Sequence, residues 1–146
     1  MGDFDFIPEV IMKLGATIRF KTLAVQPGKP TLFATLNRKR IFGLPGNPVS
    51  SYNIFVLLVA PLVRQMMGGK SSNLPAKLPL GIDYQRNKSG RMSWIPVKVS
   101  GTGALYPVEY HGSAHIYALI HADAIAGIPA GVYELKAGDY LDVRFI

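Results

Sequence analysis

Lys29 stands between glycine and proline in the run Val25-Gln-Pro-Gly-Lys-Pro-Thr31, and two hydroxyls close a second run, Phe42-Gly-Leu-Pro-Gly-Asn-Pro-Val-Ser-Ser51. Proline fixes φ at about −65° and glycine permits backbone that other residues resist, so both runs predict rigid loops that bring bare N–H groups close to a ligand. An oxyanion suits such loops. In the second, Asn47 is a favourable N-cap, Pro48 suits the first helical position, and Ser50 and Ser51 fall in the first turn. Unpaired N–H groups and the positive end of the helix dipole would then face an anion, with the hydroxyls as further donors. The plainer alternative is a capped strand-to-helix turn without a ligand. Gly28 and Lys29 in the first loop, and Gly46, Asn47, Pro48 and Ser50 in the second, are the candidate binding residues.

The charge pattern points the same way. The formal net charge is +7, and residues 10–82 contain no carboxylate while supplying ten lysines and arginines. A field of that sign draws phosphates, oxyanions and nucleic acids alike, so charge alone does not choose among them. The cluster Arg38-Lys39-Arg40 reads first as a solvated hairpin tip. With 49% hydrophobic residues the chain can build a core, and without cysteine it has neither disulfides nor thiolate metal sites. The apolar run 54–63 is too short for a membrane span, and the acids of Met1-Gly-Asp-Phe-Asp5 are unlike a secretory signal. No membrane partner and a cytoplasmic location are the expectations.

The loops need elements to hold them. Asp5 as N-cap, Pro8, the spacing of Ile7, Val10, Ile11 and Leu14, and Gly15 predict a short helix. Strands are expected over 17–25, 31–36 and 41–44, with a polar turn at 37–40. A helix from Asn47 to about Met67, bent near Pro61, is apolar nearly all round, which predicts burial in a layered domain. Turn-forming residues over 70–77 suggest a linker. Beyond it, strands over 92–99, 104–109, 116–120, 124–128 and 140–145 predict a small, mostly β barrel. The fold class expected is therefore α/β followed by mostly β, divided into residues 1–69, a linker at 70–77, and residues 78–146.

Five ordered motifs resemble the C-terminal part of the molybdopterin molybdenumtransferases, the molybdate-insertion family that includes the gephyrin E domain. They are Met1-Gly-Asp-Phe-Asp5, Gln26-Pro-Gly-Lys-Pro30, the run from Phe42 to Ser51, Gly90-Arg91 before a strand, and His111-Gly-Ser113 with His115 following. The resemblance runs nearly end to end. It implies that the first half closes a three-layer α/β/α molybdopterin-binding domain and that the second is its C-terminal β-barrel domain. It also implies an activity: insertion of molybdate into adenylated molybdopterin with release of AMP, in molybdenum cofactor biosynthesis, with Mg²⁺ required.

By the same resemblance, Lys29, Pro30, Ser50, Arg91 and Ser113 correspond to the molybdate site, and Asp3, Gly28, Gly46, Asn47 and Pro48 to the pterin and nucleotide side. Asp5 would hold Mg²⁺ and act in catalysis with Lys29. Asp5 is equally a candidate helix cap, the same oxygens serving either role. His111 and His115 read as structural, because two histidines without a third ligand or a clear helix are weak evidence for a metal.

Two departures stand out. Gln26 occupies a position where many relatives carry a second lysine. Relatives also carry a glycine-rich segment ending in serine before the position of Met1, the rest of the pterin-binding domain and further N-terminal domains. The expectation is that this chain alone does not catalyse insertion and leaves a sheet edge unpaired. A homodimer is implied for the longer protein. The alternatives are a peptide-binding scaffold of gephyrin type and a basic nucleic-acid binder; the latter lacks stacking-aromatic or recognition-helix signatures, so no nucleic-acid partner is expected.

Overall fold

The computed structural model describes residues 6–69, 76–109 and 117–146. Helix α1 (Ile7–Lys13) starts with Pro8 in its first turn and an Ile11 that points inward, and Glu9 and Lys13 pair at 2.7 Å across one turn of its exposed face. Phe6 stands at the N-cap with no side-chain bond to the helix. The proposed cap, Asp5, lies outside the described residues.

Strands β1 (Thr17–Phe20), β3 (Leu32–Leu36) and β4 (Lys39–Gly43) form an antiparallel sheet in the order β1-β3-β4. Alternation puts Leu32 and Ala34 on the face under α1, where they join Ile11 and Ala16 in a small core. Phe33 points to the other face, stacked between Phe20 and Phe42 at ring separations of 5.6 and 4.8 Å. The β3–β4 hairpin turns at Asn37, whose φ of 53° asparagine tolerates better than most residues. Lys39 and Arg40 thus belong to β4, not to the turn, and with Arg38 form the solvated tip that a charge cluster suggests.

The strand expected over 17–25 is two strands. After β1 the chain leaves the sheet, and β2 (Val25–Gln26) joins the second half instead, pairing parallel with β7 (Met92–Val99) through Val25↔Met92 and Gln26↔Ser93. Hydrophobic alternation cannot reveal this, because it reports a buried face and not the sheet a strand joins.

Asn47 begins a helical run made of α2 (Pro48–Ile54), a π turn (Phe55–Val59) and α3 (Ala60–Met66). Proline cannot donate to the carbonyl four residues back, and the irregularity expected at Pro61 takes the form of the π turn just before it. Burial on all sides is not found. Val49, Ser50, Asn53, Ile54 and Val56 are buried, but α3 buries nothing and Phe55, Val63 and Met66 are exposed. One side of the run lies on the fold; no described element covers the other. At 19 residues and mean hydropathy 1.3 it is longer than the apolar stretch read from sequence, and long and apolar enough to cross a bilayer. Its packed side, however, carries the polar Ser50 and Asn53 bonded to protein groups, as in a helix seated on its own domain.

The second half closes as the expected barrel. Strands β5 (Ala76–Pro79), β11 (Tyr140–Phe145), β9 (Ala124–Ile128), β7 and β8 (Leu105–Pro107) follow one another in the sheet, and Leu80 just after β5 bridges Leu105 in β8. Inside lie Leu80, Ile95, Val97, Leu105, Ala124, Ala126, Ile128, Leu141 and Val143. Strand β9 is buried on both faces because its outer Ile125 packs with Trp94 against Val56 of the π turn. Gly127 makes room for this: a Cβ there would lie 2.8 Å from the Met92 methyl and 3.0 Å from the Trp94 ring.

Ala76 and Lys77, read as linker, are the first residues of β5 and pair with Val143 and Asp142. The strand expected at 116–120 is instead a helical turn, α4 (Tyr117–Ile120), with Ala118 inward and Tyr117 and Ile120 exposed. Among the described residues no strand pairs with it. Two short strands, β6 (Tyr84–Gln85) and β10 (Glu134–Leu135), pair with each other and escaped the pattern because two residues show no alternation.

Below β6, Asp83 accepts from the Ala137 N–H at 2.9 Å and from the Lys136 ammonium at 3.1 Å, and Lys136 also pairs with Glu134. The Ala137 N–H first, and Lys136 next, hold the Asp83 carboxyl below its ordinary value. A carboxyl whose folded pKa is depressed supplies stability above its unfolded pKa and loses it as pH falls through the folded one. Thermal melts below about pH 4 are therefore expected to show falling stability, with part of that dependence absent in Asp83→Asn.

Candidate functional site

The first loop is built around Gly28. Its φ of +127° lies where L side chains are strained, and a Cβ would come within 2.5 Å of Ile54 Cδ1. The buried Thr31 hydroxyl donates to Gly28 O at 2.7 Å, and the N–H groups of Leu23 and Thr31 both donate to Lys29 O at 2.9 Å. Asn53 of α2 donates to Pro27 O at 2.8 Å, fixing the loop to the helix. Lys29 is left exposed at the loop's crest.

The second loop behaves differently. Asn47 Oδ1 accepts from the Ser50 N–H at 3.2 Å and stands 3.4 Å from the Ser50 hydroxyl, while Ser51 donates its hydroxyl to Pro45 O. The Ser51 N–H is bonded to Asn47 O and Pro48 has none, so the row of free amides expected at this helix end is largely satisfied by the chain itself. Gly46 has open space around it and no positive φ.

A cavity of 560 Å³ opens between the first loop, the start of α2 and the barrel. Gly28, Lys29, Pro30 and Ser50 line it from one side, and Arg91 with Ser93 from the other. The structure thus assembles five of the candidates, far apart in sequence, around one space. It places Gly46 and Asn47 outside that lining and puts Pro48 in a separate apolar groove with Leu44, Ser51, Tyr52, Phe55, Leu119 and Ile120. Asp3, Asp5, Ser113, His111 and His115 lie outside the described residues.

Tyr84, Arg86, Asn87 and Lys88, which no motif in the sequence singles out, also line the cavity. The visible signal was Arg86-Asn-Lys-Ser-Gly-Arg91, a turn with three cations in six residues. Arg86 is a clamp. Its guanidinium donates to Val132 O at 2.6 Å, Pro129 O at 2.5 Å and Arg91 O at 3.2 Å, tying the turn to the barrel. Arg91 reaches across the junction, donating to Val25 O at 3.2 Å and to Gln26 Oε1 at 3.5 Å. Burial holds the Tyr84 phenol above its ordinary value, partly opposed by Arg86, so it stays a neutral hydroxyl at any physiological pH.

Among the described residues, four cations and no carboxylate line this space. Such a cavity stabilises an anion and repels a bare cation. Among the described residues no three His, Cys, Asp or Glu come together as metal ligands. The expected Mg²⁺ ligand, Asp5, lies outside the described residues.

Comparison with known proteins agrees on both halves. Residues 1–65 match the family described as "Probable molybdopterin binding domain", and residues 77–146 match "MoeA C-terminal region (domain IV)". The molybdopterin molybdenumtransferase of Staphylococcus epidermidis is 34% identical over 98% of this chain, and that of Staphylococcus aureus 31%. The chain spans 35% of the length of each. Among solved structures, the molybdopterin biosynthesis MoeA protein of Pyrococcus horikoshii superposes over 97% of the chain with a TM-score of 0.77 at 31% identity, 34% of its own length being covered. A molybdenum cofactor biosynthesis protein of Pyrococcus furiosus shares the fold over the whole chain, and over 56% of its own, at a TM-score of 0.75 and 18% identity. With matches across both halves and a like fold throughout, the chain belongs to the molybdopterin molybdenumtransferase family.

Proposed function

We propose that this chain supplies the molybdate-receiving site of a molybdenumtransferase that inserts molybdate into adenylated molybdopterin and releases AMP. The observation that carries this reading is the cavity, lined by cations and no carboxylate among the described residues, where Lys29 and Arg91 face one space from different halves of the chain. Molybdate is a tetrahedral dianion, and taking it from water requires charge and hydrogen bonds from several directions at once. Lys29 contributes a mobile ammonium, Arg91 a planar fork held at the junction, and Ser50 a hydroxyl at the helix start. Ser113, Asp3 and Asp5 belong to the same proposal by resemblance, Asp5 as the residue that would hold Mg²⁺, which would offset phosphate charge when bound.

The cavity is far larger than one oxyanion, which leaves space for part of the pterin substrate beside it. Completion of the site by further segments or by a second subunit of a homodimer is part of the proposal, as are a cytoplasmic setting and the domain division near residues 70–77. So is the inability of the chain alone to release AMP; steady AMP formation by the purified chain would refute that.

Calorimetry with molybdate in sulfate-free buffer tests the site. Lys29→Ala and Arg91→Ala are each expected to weaken binding by roughly 10- to 100-fold, the range for losing a hydrogen bond to a charged group. Unchanged affinity in both variants would remove the cavity as the molybdate site.

The gephyrin-type scaffold reading has one observation in its favour, the apolar groove between α2 and α4. It stands second because no described residue indicates what would cover that groove.

A further inference from the structure

Resting on the oxyanion reading above, we propose that Gln26 is a positioning residue for Arg91 and a neutral donor in the same site. In a loop read for its cations, a glutamine looks like a lost charge. Its surroundings give it a different task.

Gln26 belongs to β2, the strand that leaves the first half and pairs with β7 of the barrel. The pairing continues at Met92, whose N–H donates to Ala24 O at 3.1 Å. Arg91 immediately precedes β7 and lies along this strand, one Nη on Val25 O and the other facing Gln26 Oε1. A guanidinium has only donors, so chemistry fixes the amide's orientation: its oxygen must face Arg91 and its NH₂ is turned away. Both residues line the cavity. Arg91 therefore keeps its remaining N–H groups for an anion, and Gln26 adds two more without adding charge. A lysine at this position would set an ammonium against the guanidinium and push it away, whereas glutamate would hold it but bring negative charge into the cavity.

Gln26 is solvent-exposed, so its replacement leaves the core intact, and a thermal melt of each variant checks this. The first measurement needs no ligand. In ¹⁵N-labelled protein, the Arg91 side-chain signals, assigned by their loss in Arg91→Lys, are expected to show hindered guanidinium rotation that becomes fast in Gln26→Met. The second is a double-mutant cycle on molybdate affinity. Gln26→Met is expected to weaken binding about 5- to 10-fold in the native background and clearly less in Arg91→Ala, where only its donor role is left to lose, and Gln26→Glu to weaken it more than Gln26→Met does. A structural role alone would not produce that coupling.

Arg91 signals unchanged by Gln26→Met, or additive effects in the cycle, would overturn the proposal. A folded native chain that binds no molybdate would instead overturn the oxyanion reading and the donor role, while the rotation measurement would still decide whether Gln26 positions Arg91.

Discussion

Arg86→Met is expected to lower stability by roughly 2–4 kcal/mol, about 10 °C in melting temperature for a chain of this size. The guanidinium is the common partner of three backbone carbonyls in two turns, Pro129 and Val132 in one and Arg91 in the other. Methionine keeps most of the apolar stem and deletes every donor, leaving those carbonyls to water or to nothing. Loss of a partner is more damaging than loss of an average hydrogen bond, because a half-buried carbonyl retains its desolvation penalty. The same substitution frees the turn before Arg91 and removes a positive charge from the cavity lining, so molybdate affinity should fall as well. A melting temperature within two or three degrees of the native chain would show that the clamp contributes little.

Gly28→Ala should act through the backbone. The residue sits at φ +127°, and the new methyl would meet Ile54 at 2.5 and 2.8 Å. Ile54 is fully buried and cannot swing aside. Strain of about 1–3 kcal/mol is expected from the backbone alone, with a comparable contribution from overpacking. The chain can relieve it only by moving the loop, which carries Lys29 away from Arg91. Gly46→Ala is the matched control: with open space and no positive φ there, little change is expected in melting or in molybdate binding.

The contrast between those two glycines shows how far the sequence could be read. Both loops have the same Pro-Gly signature, yet only one needs its glycine and only one faces the cavity broadly. In the first, Pro27-Gly28-Lys29 must pass directly over Ile54; that depends on which helix lies beneath, and no local pattern states it. In the second, Asn47 takes up the Ser50 N–H in capping, so the amide that suggested ligand binding is occupied and only the Ser50 hydroxyl, 3.4 Å from Asn47 Oδ1, is left to serve the cavity that Ser50 lines.

Long strands were legible. β7, β9 and β11 lie where alternation and β-branched residues put them. The 116–120 segment has a strand's composition, but Tyr117–Ile120 form α4, where only Ala118 is buried and no described strand pairs with them. The apolar surface of the 48–66 helix implied burial, but composition says only that a surface can be buried, not that something covers it.

Arg91 and Lys29 were legible through resemblance. Arg86 and Lys88 were not, because a charged turn ordinarily marks a solvated surface. The role of Gln26 was hidden for another reason: its partner is distant in sequence, and the contact exists only because β2 crosses into the barrel sheet.

The most direct test of an oxyanion site at this junction is a crystal of the chain soaked in molybdate, with diffraction recorded on both sides of the molybdenum absorption edge. The expected result is an anomalous peak inside the cavity, within hydrogen-bonding reach of Lys29, Arg91 and Ser50. A peak elsewhere on the surface with the cavity empty, at a molybdate concentration that saturates binding in solution, would contradict it.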